Sequence, residues 1–216
     1  MSEVAEEPAW RRRAVERSTR AAKLRAEQRV QRFLDAAQEL MAEKGTTDFT
    51  VQEVVDRSKQ SLRSFYQHFD GKHELLLALF EDALVVGAAE VRKAAEERRG
   101  PLPRLQAAVE TLYGQCCPPG VRRPLFSDFA LQLLVTHPPQ VAAAHRPMLD
   151  VFTELVEDAA AAGVLRSGRP RRQAALVMQT VIFSAHSSGG TGGPAGPVTA
   201  PEIWQFCLRG ISAGGE

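Results

Sequence analysis

The amino-acid sequence predicts an all-α protein, with a head of three helices followed by a body of six. Three observations carry this. Apolar residues recur at three- and four-residue spacing along most of the 216-residue chain. Gly and Pro clusters punctuate that pattern at intervals suited to helices. No segment shows a convincing strand pair.

The first helix is expected over residues 29–45. Val30, Phe33, Leu34, Ala37, Leu40 and Met41 form an apolar stripe, and Gly45 after Lys44 is a natural stop. The second helix opens at Thr50, a candidate N-cap, with Glu53 at the matching capping-box position. Val51, Val54 and Val55 supply its apolar edge over about two turns. Arg57, Ser58, Lys59 and Gln60 break the pattern. A third helix then starts at Ser61, with Phe65 and Phe69 four apart and able to face one core. Two short helices joined by a turn of three or four residues form a helix-turn-helix, here at about residues 49–68. The second helix of such a motif fits the DNA major groove.

The body begins with a long helix over residues 72–98, ended by Gly100-Pro101. Helices over 102–116, 124–136, 139–162, 170–187 and 201–211 follow. The breaks fall at Cys117-Pro118-Pro119-Gly120, His137-Pro138-Pro139, Gly163 and the glycine-rich run 188–200, which reads as a flexible loop.

Composition narrows the function. No apolar run reaches the roughly 18 residues that span a bilayer, and the acidic first ten residues do not read as a secretory signal. Three cysteines, two of them adjacent, make a poor disulfide framework, so a reducing cytoplasm is the natural compartment. His137, His145 and His186 stand apart and show no metal-ligand spacing. Ser184, His186 and Ser187 lie close in sequence, but no orienting acid or oxyanion loop accompanies them. Neither an enzyme nor a metal site is expected, and no cofactor is implied.

Charge is unevenly spread. Residues 10–32 hold nine basic and two acidic residues, a net of +7, so with a whole-chain charge of +1 the rest sums to −6. A basic arm before a DNA-binding helix suits phosphates; a solvated tail is the bland alternative. Its candidate backbone contacts are Arg11, Arg12, Arg13, Arg17, Arg20, Lys23 and Arg25.

At the head the chain resembles the TetR family of bacterial transcriptional repressors. The likeness runs through Glu43-Lys44-Gly45, Thr50, the run Ser64-Phe65-Tyr66-Gln67-His68-Phe69, and Gly71-Lys72-His73-Glu74-Leu75-Leu76, over roughly residues 27–87. The family commonly has Ala-Gly-Val-Ser in the turn, where this chain has Ser58-Lys59-Gln60-Ser61. Lys59 must therefore either accept a positive φ, at about 1 kcal/mol, or bend the turn differently. The charge pattern sets apart a basic, flexible arm at 1–26, and the resemblance implies a DNA-binding domain at 27–87 and a helical ligand-binding and dimerisation domain at 88–216.

Candidate DNA contacts follow from the motif. Ser61, Leu62, Arg63 and Ser64 start the recognition helix. Arg63 can pair bidentately with guanine, Gln60 can read adenine or bond a phosphate, and Leu62 can touch a thymine methyl or pack. Tyr66, His68 and Lys72 stand where the family holds the DNA backbone, and Thr50 can combine capping with phosphate binding. In the body, Tyr113, Phe126, Phe129, Leu133, Met148, Phe152 and Met178 are either pocket liners or ordinary core. The resemblance implies a small-molecule effector among those helices, here a small apolar ligand. It also implies a homodimer built by the last two helices, for which Val177, Val181, Trp204, Phe206 and Leu208 are candidates. The expected function is a repressor that binds a palindromic operator and is released by its ligand. A TetR-type activator, or a helical carrier or enzyme with an incidental head, are the alternatives.

Overall fold

The computed structural model describes residues 8–116, 129–188 and 198–212. Among these residues the fold is helical, apart from one isolated bridge between Leu165 and Ser212. The helices are α1 (Ala9–Lys44), α2 (Val51–Ser58), α3 (Leu62–Tyr66), α4 (Lys72–Glu96), α5 (Pro101–Cys116), α6 (Ala130–Thr136), α7 (Pro138–Ala144), α8 (Arg146–Ala161), α9 (Pro170–Ser188) and α10 (Ala200–Ile211). The chain divides into two compact units, residues 1–40 with 48–75, and residues 41–47 with 76–216.

In the first unit the core is aromatic. Phe33 on α1 is fully buried and meets Phe65 edge-on at 5.4 Å and Phe69 edge-on at 6.2 Å. Phe49, Val54 and Val55 are buried with them. An ion pair of 3.3 Å between Arg57 and Glu39 ties α2 to α1 at the surface.

α1 starts at Ala9, some twenty residues before the expected helix, so the basic segment from Ala9 onward is helical. The reason lies in propensity. The segment has no Gly or Pro and is rich in Arg and Ala, which are strong helix formers, but it has no continuous apolar face. Periodicity could not register a helix whose residues from Ala9 to Arg29 are nearly all exposed.

The second unit packs α8 and α9 against α5, with α10 on both α5 and α9. Its core includes Val91, Leu105, Val109, Met148, Phe152, Val156, Val181 and Trp204. Arg104–Asp158 and Arg171–Asp150 pairs, each at 2.8 Å, staple its surface. Such exposed pairs contribute at most about 1 kcal/mol each.

The single helix expected over 139–162 is two helices, α7 and α8, so the described body has seven helices instead of six. Pro147 explains the break. It has no N–H to donate to the carbonyl of Ala143, and it sits instead in the first turn of α8, where no donor is needed. Residues 117–128, with Phe126 and the Cys117–Gly120 break, lie outside the described residues, as does most of the glycine-rich loop.

Candidate nucleic-acid interface

The local sequence sets the helix-turn-helix. The Thr50 hydroxyl accepts the Glu53 N–H at 3.2 Å, while a Glu53 carboxylate oxygen accepts the Thr50 N–H at 2.8 Å and its hydroxyl at 3.0 Å. This is a complete capping box, worth about 1 kcal/mol. The capping half of the dual role expected of Thr50 is thus in place, and its hydroxyl proton already has an acceptor.

The turn between α2 and α3 is left-handed at Lys59, with φ 56° and ψ 31°. Of the two turn geometries left open by the missing glycine, the chain adopts the positive-φ one. The Gln60 N–H donates to the Val55 carbonyl at 3.3 Å, and the buried Ser58 hydroxyl to the same carbonyl at 3.0 Å. α3 then starts at a second N-cap, where the Ser61 hydroxyl accepts the Ser64 N–H at 3.1 Å.

Phe65 anchors α3 to the head core, which turns the remaining residues outward. Ser61, Arg63 and Tyr66 are exposed, Leu62 is 43% exposed, and Ser64 is half-buried. Tyr66 keeps one edge on the Phe65 ring at 5.4 Å and leaves more than half its surface open. α3 therefore presents an arginine fork, a leucine and a phenol from one short rigid element.

The flanking candidates differ among themselves. Lys72 opens α4 and holds its Nζ 5.1 Å over the Phe49 ring, a cation–π contact that keeps it near the head surface. Gln60 is half-buried and donates to the Lys59 carbonyl at 3.3 Å. His68 is also half-buried, and its Nε2 is enclosed with no hydrogen-bond partner among the described residues.

On α1, Arg11, Arg13, Arg17, Arg20, Lys23 and Arg25 are exposed. At 100° per residue, Arg11, Arg25 and Arg29 share one side and Arg13, Arg17 and Arg20 another, so charge surrounds the helix. Lys23 pairs with Glu27 at 3.8 Å, a loose solvent-exposed pair. The Arg12 side chain lies outside what is described.

In the body, Met148, Phe152 and Met178 lie in one core cluster, and Tyr113 packs on it with its hydroxyl donating to the Val198 carbonyl at 2.7 Å. Phe129 and Leu133 are buried at the start of α6 but are not part of that cluster. Of the five dimer candidates, Val177, Val181 and Trp204 turn inward and are at most 4% exposed, so they offer no surface to a second copy. Leu208 is half-buried, and only Phe206, at 71%, stands clear. The physical reason is helical register. Ala174, Val177, Met178, Val181 and Ala185 form the buried stripe of α9, which leaves Leu176, Thr180 and Phe183 on the opposite side. Leu176 and Phe183 are 56% and 75% exposed and are not among the residues expected from the sequence; their seven-residue spacing through Thr180 is the signal that marks them. A groove of about 890 Å³ runs between α9 and α10, lined by Leu176, Thr180, Phe206 and Arg209 among others.

The head and most of the chain have known counterparts. Residues 33–79 match the bacterial regulatory proteins of the tetR family. The HTH-type transcriptional activator FasR of Mycolicibacterium smegmatis is 30% identical over 144 residues, which span 64% of this chain and 62% of FasR, under two thirds of that relative's length. Among solved structures, a TetR-family transcriptional regulator from Pectobacterium atrosepticum superposes with a TM-score of 0.70 at 15% identity, covering 89% of this chain and 98% of that one. SmeT, the repressor of the Stenotrophomonas maltophilia multidrug efflux pump SmeDEF, does so with a TM-score of 0.61 at 20% identity, covering 86% and 91%. The matched segment, residues 33–79, spans the capped α2, the αL turn and the outward face of α3, so this part of the chain is a helix-turn-helix head like that of the tetR-family bacterial regulatory proteins.

Proposed function

We propose that this protein is a transcriptional repressor that binds a palindromic DNA operator as a homodimer and is released by a small apolar ligand. The observation that carries DNA binding is α3, which is anchored by Phe65 and turns Arg63, Leu62 and Tyr66 outward. An arginine so placed can make two hydrogen bonds to guanine O6 and N7 in the major groove. A mobility shift with the DNA upstream of the protein's own coding sequence tests it. A specific shift supports the reading, and binding no tighter than to random DNA removes it.

Arg63 is the base reader in this account. Arg63→Ala should cost about 1–3 kcal/mol on the operator and relax preference at one position per half-site. Equal losses on operator and random DNA would instead make Arg63 a phosphate contact.

The N-terminal part of α1 adds affinity without specificity. Deleting residues 1–25 removes Arg11, Arg12, Arg13, Arg17, Arg20, Lys23 and Arg25. The slope of log K against log salt should become shallower by about 0.9 for each phosphate that the deletion leaves unneutralised. A slope equal to that of the full chain would make this segment a bystander.

For the effector, a ligand must bind better to the state whose two recognition helices no longer match successive major grooves, roughly 34–36 Å apart. The apolar density around Met148, Phe152 and Met178 favours an apolar ligand. The likeness to an activator, FasR, favours the opposite sign of regulation as a second reading. A reporter placed behind the upstream DNA separates the two: deleting the regulator raises expression for a repressor and lowers it for an activator.

A further inference from the structure

We propose that Lys59 is a DNA-backbone contact, retained in a turn that by itself favours glycine. The proposal rests on the DNA-binding reading above and adds a residue to that interface. Among the described residues, Lys59 is the one non-glycine residue with a positive φ. Elsewhere the chain meets this conformation with Gly45, Gly100 and Gly163. A Cβ crowds the left-handed conformation, and a lysine has no short polar group to bond the local backbone in compensation, as Asn or Asp would. The turn is thus strained, and nothing in its own packing repays a lysine there, because the side chain is exposed.

The surroundings single out this cation. Arg57, two residues earlier, is engaged with Glu39 at 3.3 Å. Ser58 is buried and Gln60 half-buried. Lys59 has no ion pair among the described residues. It lies two residues before the Ser61 cap, at the end of α3 that bears Arg63. A duplex whose base edges reach the start of a recognition helix carries its sugar-phosphate strands past the preceding turn. A flexible four-carbon stem with a point charge at its tip suits such a strand and reads no base. Strain retained where it weakens the fold is a mark of a binding role.

The test uses the full chain and Lys59→Gly, Lys59→Ala and Lys59→Arg. Each is titrated by fluorescence anisotropy against two labelled duplexes of equal length, one from upstream of the coding sequence and one of random sequence. Salt runs from about 50 to 200 mM. The glycine and alanine variants should weaken both duplexes by the same factor. Their slopes of log K against log salt should be shallower by about 0.9 per bound protomer, so that the wild-type advantage shrinks roughly three- to fourfold across that range. The arginine variant should keep the wild-type slope. The glycine variant alone should also unfold about 2–4 °C higher, since it relieves the left-handed strain.

Wild-type slopes in both the glycine and alanine variants would overturn the contact while leaving the DNA-binding reading intact. A loss confined to the upstream duplex would also overturn it, because the turn would then be setting the pitch of α3. If the wild type binds neither duplex, both readings fall.

Discussion

Phe33→Ala is expected to unfold the head and abolish DNA binding. Phe33 is wholly buried and is the hub of an aromatic cluster, edge-on to both Phe65 and Phe69. Removing such a ring forfeits its transfer free energy and leaves a cavity, at about 3–5 kcal/mol. A unit this small has little stability to lose. Because Phe65 is what fixes α3, loosening the cluster also frees the outward face that carries Arg63. Urea unfolding followed by circular dichroism, alongside DNA titration, checks this. An unchanged midpoint would mean that the cluster does not hold the head. Phe33→Leu should be milder, since it keeps most of the apolar volume.

Phe183→Glu with Phe206→Glu should give a folded monomer whose affinity for a full palindrome falls by about 10²–10⁴. Both side chains are mainly in solvent within one chain, at 75% and 71%, so the charges should not disturb the core. On a shared face between two copies, the same charges would be desolvated without partners. Two unlinked half-sites then forgo the benefit of a tethered second binding event. Sedimentation at micromolar concentration reads the assembly directly. A double variant that stays dimeric would place the interface elsewhere. Trp204→Asp is the contrasting control. Trp204 is 4% exposed in the chain's own core, so that variant should lose the fold rather than the partner alone.

Trp204 and Phe206, two residues apart, mark where sequence reasoning stops. In α10 the apolar positions are so frequent that sequence offers several candidate faces. Which face is spent on the chain's own core depends on where α5 and α9 lie, and that is a matter of long-range packing. α9 repeats the lesson, with Val177 inward and Leu176 outward one residue apart.

What the sequence by itself determined is local. Thr50 and Glu53 announce the start of α2, Ser61 the start of α3, and the four-residue spacing of Phe65 and Phe69 their shared inward face. Each depends on residues within a turn or two, or on a periodicity that survives any packing. Even at Lys59, the absence of a turn glycine leaves only two geometries to choose between. The tertiary structure decided the rest. It assigned Lys59 a left-handed φ, enclosed Nε2 of His68, and turned Val177, Val181 and Trp204 inward. A side chain's period places it on a stripe, but only its neighbours in space decide whether that stripe meets core or solvent.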